Sequence, residues 1–142
     1  YALGLLLQGK TNDLFEEFVA VVAIQNCHYL PVRRIIEELK KFIDKHRIYL
    51  AKDFADTLPS ELTPTFDEAF LWDISGLLED EERFVREWDK ALREVRRSHI
   101  HYTMEEISRS LRDGAISPDK HDSLRRKLKE VTDELAVLEK GA

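Results

Sequence analysis

The chain has little of what interrupts helices or builds catalytic centres. Its 142 residues include 5 Gly and 4 Pro, so long unbroken helices are open to it. Cys27 is the only cysteine. That excludes a disulfide framework or a multi-cysteine zinc site within one chain, and a reducing, cytoplasmic setting is the simplest expectation. The longest apolar stretches, Ala2–Leu7 and Phe18–Ile24, fall well short of the roughly 20 residues that cross a membrane. No charged segment followed by an apolar one marks a secretory signal. No Gly-rich phosphate loop and no Glu-x-x-His pair occurs, which removes the usual signatures of nucleotide and di-iron sites. The chain opens without Met, inside an apolar helical pattern (Tyr1 to Leu7), so a fragment of a longer protein is expected.

An excess of positive charge is also lacking. Lys and Arg number 22 against 28 Asp and Glu, a formal net charge of -6. Surfaces that hold nucleic acid concentrate Lys and Arg, whereas here the signs alternate along the chain. Strong direct binding to nucleic acid is therefore not expected, and a protein partner fits better.

What is present is helical periodicity. Residues 1–8 read as a buried helix broken at Gly9-Lys10, with Thr11, Asn12 and Asp13 as candidate N-caps for the next. Leu14, Phe15, Phe18, Val19, Val22 and Ile24 give that helix an apolar face, fading near Asn26. Pro31 suits a first helical turn. Val32, Ile35, Ile36, Leu39, Phe42 and Ile43 then recur at spacings of three and four. Short helices are expected around Asp53–Thr57 and over Asp67–Ile74. The second should turn Phe66, Phe70, Leu71 and Trp72 inward and end at Gly76.

Nothing breaks a helix from about Asp80 to Gly114, a run of roughly 50 Å at 1.5 Å per residue. Phe84, Trp88, Leu92 and Val95 lie on its first half; Ile100, Met104, Ile107 and Leu111 lie on its second. Ser117 is a strong N-cap and Pro118 a natural first residue for a last helix. There Leu124, Leu128, Val131, Leu135 and Leu138 follow spacings of four, three, four, three, the pattern of a coiled-coil seam. The expected fold is all-α: a helical bundle over residues 1–97, then a C-terminal helical hairpin over residues 98–142 that projects from it.

Candidate chemistry is sparse. His99 and His101 are two apart, so on a helix they point about 200° from each other and cannot share an ion. Cys27-His28 lacks the oriented base and oxyanion site of a nucleophile, and Cys27 reads as a small boundary residue. The run Glu79–Glu82 has no glycine-centred calcium loop and reads as helix-start acids favoured by the dipole. Two basic clusters, Arg93/Arg96/Arg97 and Arg125/Arg126/Lys127/Lys129, are flanked by acids. They read first as salt-bridged helix surface and second as partner-facing patches. No catalytic, cofactor or metal site is expected.

The order of elements resembles the C-terminal domain of bacterial DnaG-type replicative primases. The residues that carry the resemblance start with the leucine-rich helix Leu3-Gly4-Leu5-Leu6-Leu7-Gln8. They continue with Phe54-Ala55-Asp56-Thr57-Leu58-Pro59-Ser60-Glu61-Leu62 and Glu68-Ala69-Phe70-Leu71-Trp72. Phe84, Trp88 and Leu92 follow in a long helix to Arg112, and the closing helix ends near Ala136-Val137-Leu138-Glu139-Lys140. The resemblance implies a non-catalytic module, monomeric by itself, whose hairpin docks on the N-terminal domains of the hexameric replicative helicase in the bacterial cytoplasm. It would recruit a primase to the fork. The candidate contacts are Ile116 at the turn and Leu135 and Leu138 near the chain end, where self-packing of a hairpin protects least. Arg112 and Arg125 would pair charge near the tip. The alternative is the N-terminal oligomerisation domain of such a helicase, which resembles the same fold. An enzyme with an unseen cofactor is the third reading, for which the sequence supplies no acid, base or metal site.

Overall fold

A computed structural model describes residues 1–24 and 27–140 and is 82% helical, with no strand among the described residues. The chain is all-α. Its helices are α1 (Ala2–Gln8), α2 (Thr11–Val21), α3 (Leu30–His46), α4 (Ala51–Thr57), α5 (Thr63–Phe70), α6 (Ser75–Leu78), α7 (Glu81–Arg112) and α8 (Pro118–Lys140). A 3-10 turn, Ser60–Leu62, precedes α5. The contacts divide the chain into two compact units, Tyr1–Leu92 and Arg93–Ala142. The division falls inside α7, as does the 97/98 boundary expected from the sequence.

The first unit is organised around two glycines. A Cβ on Gly9 would lie 2.7 Å from the Phe84 ring and 2.9 Å from the Leu5 carbonyl oxygen, so only glycine lets the α1–α2 corner receive that ring. A Cβ on Gly4 would lie 2.8 Å from the Ala69 carbonyl oxygen. Its absence lets α1 approach α5 closely. Gln8 then donates from Nε2 to the carbonyls of Ala69 (3.3 Å) and Trp72 (3.0 Å), supplying partners to the open C-terminal end of α5. Leu5, Leu6 and Leu7 are buried in consequence, with Ile35, Ile36 and Leu39 of α3. An aromatic chain crosses this core. Phe42 meets Phe54 edge-on at 5.4 Å, Phe54 meets Phe66 at 5.9 Å, and Phe66 stacks on Phe70 at 5.4 Å. Trp88 is buried and donates its indole N–H to Glu17 Oε2 at 3.1 Å.

Several local expectations are corrected. None of Thr11, Asn12 and Asp13 is an N-cap; α2 starts at Thr11 with Lys10 before it. The Thr11 hydroxyl turns back to donate to the Leu6 carbonyl at 2.8 Å. Asn12 instead holds the loop after α3, donating to the Arg47 carbonyl at 2.5 Å and accepting from the Tyr49 N–H at 3.0 Å. Carbonyls at the end of the preceding helix have outcompeted capping at Thr11, and distant partners have done so at Asn12. Helix α2 stops at Val21, where Val22 becomes extended and buried while Val19 faces out. Asn26, the expected end, lies outside the described residues.

Around α5 the inward set is also different. The helix starts at Thr63 with Pro64 in its first turn and ends at Phe70. Phe66 and Ala69 are buried, but Phe70, Leu71 and Trp72 are exposed. Ile74 and Leu77 take the core positions those residues were expected to fill. Gly76 does not end a helix; it lies within α6. At the start of α7, Asp80 acts as the cap, its carboxylate accepting the Arg83 N–H at 3.1 Å, while Glu81 and Glu82 occupy the first turn.

Candidate docking surfaces

The second unit consists of the rest of α7, a short turn and α8. The turn is shaped by side chains acting on backbone. Asp113 accepts the Ala115 N–H at 3.1 Å, and Ser117 caps α8 by accepting the Lys120 N–H at 3.3 Å. Ion pairs Arg96–Glu134 (4.0 Å) and Arg97–Glu139 (3.5 Å) join the two helices near the open end. Residues before the turn thus pair with residues well after it, as in an antiparallel hairpin.

Helix α8 has no buried residue. His121, Leu124, Leu128, Val131, Leu135 and Leu138 are half-buried and the rest of the helix is exposed. The four-three seam is therefore real as a stripe, and a single facing helix covers it only in part. On α7, Ile100 and Ile107 are buried while Met104 and Leu111 are half-buried.

The five candidate contacts fall into two groups. Arg112, Ile116 and Arg125 cluster toward the turn. Leu135 and Leu138 lie ten or more residues further along α8, so Arg125 and Leu138 are about 20 Å apart along its axis. Arg112 and Arg125 are exposed and neither makes an ion pair among the described residues, while Ile116 is half-buried. Leu135 and Leu138 are half-buried on the seam, so the hairpin uses part of each for its own packing. Between the two leucines, Val137 lies off the seam and is 72% exposed. The sequence signal for it was its position one residue out of the heptad pattern.

The basic clusters differ. Arg96 and Arg97 are paired with Glu134, Glu94 and Glu139. Arg125, Arg126, Lys127 and Lys129 are exposed, with no ion pair among the described residues.

In the first unit the Cys27 thiol is pushed up from its ordinary range by burial, with Arg33 pulling the other way. A thiol held protonated is a poor nucleophile. Among the described residues, no three His, Cys, Asp or Glu side chains converge as a metal site would require. The His99 carbonyl accepts the Thr103 hydroxyl at 3.0 Å within α7. Among the described residues, no helix is long and apolar enough to cross a membrane. The surface offers exposed apolar side chains at several places, among them Val137 on α8, Tyr29, Leu30, Ile48 and Leu50 at the two ends of α3, and the α5 exit in the first unit, where Leu71 is 81% exposed and Trp72 50%. Sequence reasoning missed the α5 exit, because a run of Phe, Leu and Trp reads as core.

No family model matches the chain, and no curated protein or solved structure matches it.

Proposed function

We propose that the chain is a non-catalytic docking module of the DnaG-type primase C-terminal class, which binds the N-terminal domains of a hexameric replicative helicase through the hairpin. The observation that carries this reading is that α8 buries none of its side chains yet keeps a continuous apolar stripe. A helix in that condition gains by packing against further helices. Ile116 and the exposed Val137 supply apolar contact; Arg112 and Arg125 supply charge at the rim, where it steers encounter more than it adds affinity. The resemblance in element order, from the leucine-rich first helix to the closing heptad helix, supports the choice of partner.

The experiment is titration of the intact chain against isolated helicase N-terminal domains. Ile116→Asp and Leu138→Asp should each weaken binding about tenfold or more, the scale of a buried apolar contact. Far-UV circular dichroism checks that each variant stays helical. Unchanged affinity in both variants would remove the hairpin as the interface. Assembly of the chain alone into rings would favour the helicase N-terminal domain instead.

A further inference from the structure

The first unit carries an apolar surface of its own that its packing leaves uncovered. Leu71 is the most exposed large hydrophobic residue among those described, at 81%. Beside it, Trp72 is half-exposed and meets the Tyr1 ring edge-on at 5.4 Å. Tyr1 in turn donates its hydroxyl to Glu87 Oε2 at 3.0 Å, tying this surface to the first turns of α7. The placement is fixed from beneath: Gly4 lies under Trp72, and Gln8 holds the Trp72 carbonyl. Leu71 therefore sits exposed on a held backbone.

The stretch of chain that carries it is acidic. Residues 67–87 hold eight acids (Asp67, Glu68, Asp73, Glu79, Asp80, Glu81, Glu82, Glu87) and two bases (Arg83, Arg86). Their net charge of -6 equals that of the whole chain, so the remaining residues balance. Asp67 and Glu68 precede Leu71 and Trp72 by one helical turn, since the Leu71 N–H still bonds to the Asp67 carbonyl at 2.9 Å. Among the described residues, Asp67, Glu68, Glu79 and Glu82 make no ion pair.

We infer that the surface centred on Leu71, with Trp72 and Tyr1, docks a Lys/Arg-rich amphipathic segment of a protein partner, whose apolar face covers Leu71 while its cations meet Asp67 and Glu68 one helical turn before it. A second copy is disfavoured, because a two-fold contact would set this acidic surface against itself. Nucleic acid and anionic membranes are repelled by the same charge. The inference is independent of the helicase reading, which rests on the hairpin.

The test is fluorescence titration of the intact 142-residue chain with a labelled synthetic amphipathic helix of Lys and Leu. The same peptide with Glu in place of Lys, and oligolysine of equal charge, serve as comparisons. Binding of the Lys/Leu helix should exceed that of both by about tenfold and weaken with added salt. Leu71→Asp should lower it about tenfold, as should the double variant Asp67→Lys, Glu68→Lys. Ile48→Asp, at another exposed apolar side chain, should leave it unchanged. If Leu71→Asp loses helicity, Leu71→Ser is measured in its place. Equal binding of oligolysine, or no effect of either Leu71 variant, overturns the proposal. So does a dimer in sedimentation that a Leu71 variant abolishes, which makes a second copy the occupant, or Leu71-dependent binding to phosphatidylserine vesicles.

Discussion

The two units use the same kinds of side chain to different ends. Among the described residues, the unit Tyr1–Leu92 holds twenty-one buried hydrophobic residues, and Arg93–Ala142 holds two, Ile100 and Ile107. Leucine supply does not explain the gap, since α8 alone carries Leu124, Leu128, Leu135 and Leu138. Arrangement does. Helices α1, α3 and α5 meet from several sides, with glycines permitting close approach, so their apolar faces are enclosed. A helix with one neighbour encloses only a line of contact and leaves its stripe half-wet. Stability thus concentrates in the first unit, while the second leaves its own seam half-covered.

The largest expected effect is in the first unit. Phe54 is fully buried between Phe42 and Phe66, so Phe54→Ala should cost about 3–5 kcal/mol. Both tryptophans, Trp72 and Trp88, belong to this unit. Guanidinium unfolding followed by tryptophan fluorescence therefore reads this loss directly. A cost below about 1 kcal/mol would mean the aromatic chain is loosely packed.

Next comes the hairpin. Ile107→Ala should cost about 2 kcal/mol, near the low end for a buried aliphatic residue because few neighbours enclose the site. The effect should show as helix loss in circular dichroism ahead of the tryptophan transition. Coincident transitions would instead mean the two units unfold as one.

Tyr49 gives a smaller effect with a defined sign. Its hydroxyl is buried without a hydrogen-bond partner among the described residues, although the side chain as a whole is half-buried. Burial pushes its pKa from 10.0 up to about 12. The neutral phenol is the form the fold favours, so its contribution is intact below pH 10 and is lost as pH rises through about 12. Tyr49→Phe should remove that alkaline loss. At neutral pH it should be neutral or stabilising by up to about 1 kcal/mol, since an unpaired buried hydroxyl disappears. A marked loss of stability at neutral pH would show that the hydroxyl is paired. The smallest effect is expected at the open end of the hairpin, where Arg97 and Glu139 are both substantially exposed. Arg97→Ala should change stability by about 0.5 kcal/mol or less. Denaturation of this variant at low and high salt should nearly coincide.

Legibility followed the same division. Long periodic segments were readable because period and capping agreed: Ser117-Pro118 opens α8, the seam residues are the half-buried ones, and α7 runs unbroken. The stretch from Pro59 to Asp80 was not. Its helices are four to eight residues long, too short for periodicity to distinguish an inward from an outward face. Leu71 and Trp72 were placed inside on hydrophobicity alone, and Ile74 and Leu77 took those places. Asn12 was equally opaque, since its bonds reach across to Arg47 and Tyr49, far along the chain. Of the candidate site, the residue types and the seam were legible. That Arg125 and Leu138 stand well apart along α8 follows once the helix is continuous.

Hydrogen exchange read by mass spectrometry, on the chain alone and with helicase N-terminal domains, tests the central claim most directly. The account predicts that α1, α3 and α5 exchange slowly in both states, while α8 exchanges quickly alone and gains protection between Ile116 and Leu138 on binding. Equal protection of both units in the free chain, or new protection confined to residues 1–92, would contradict it.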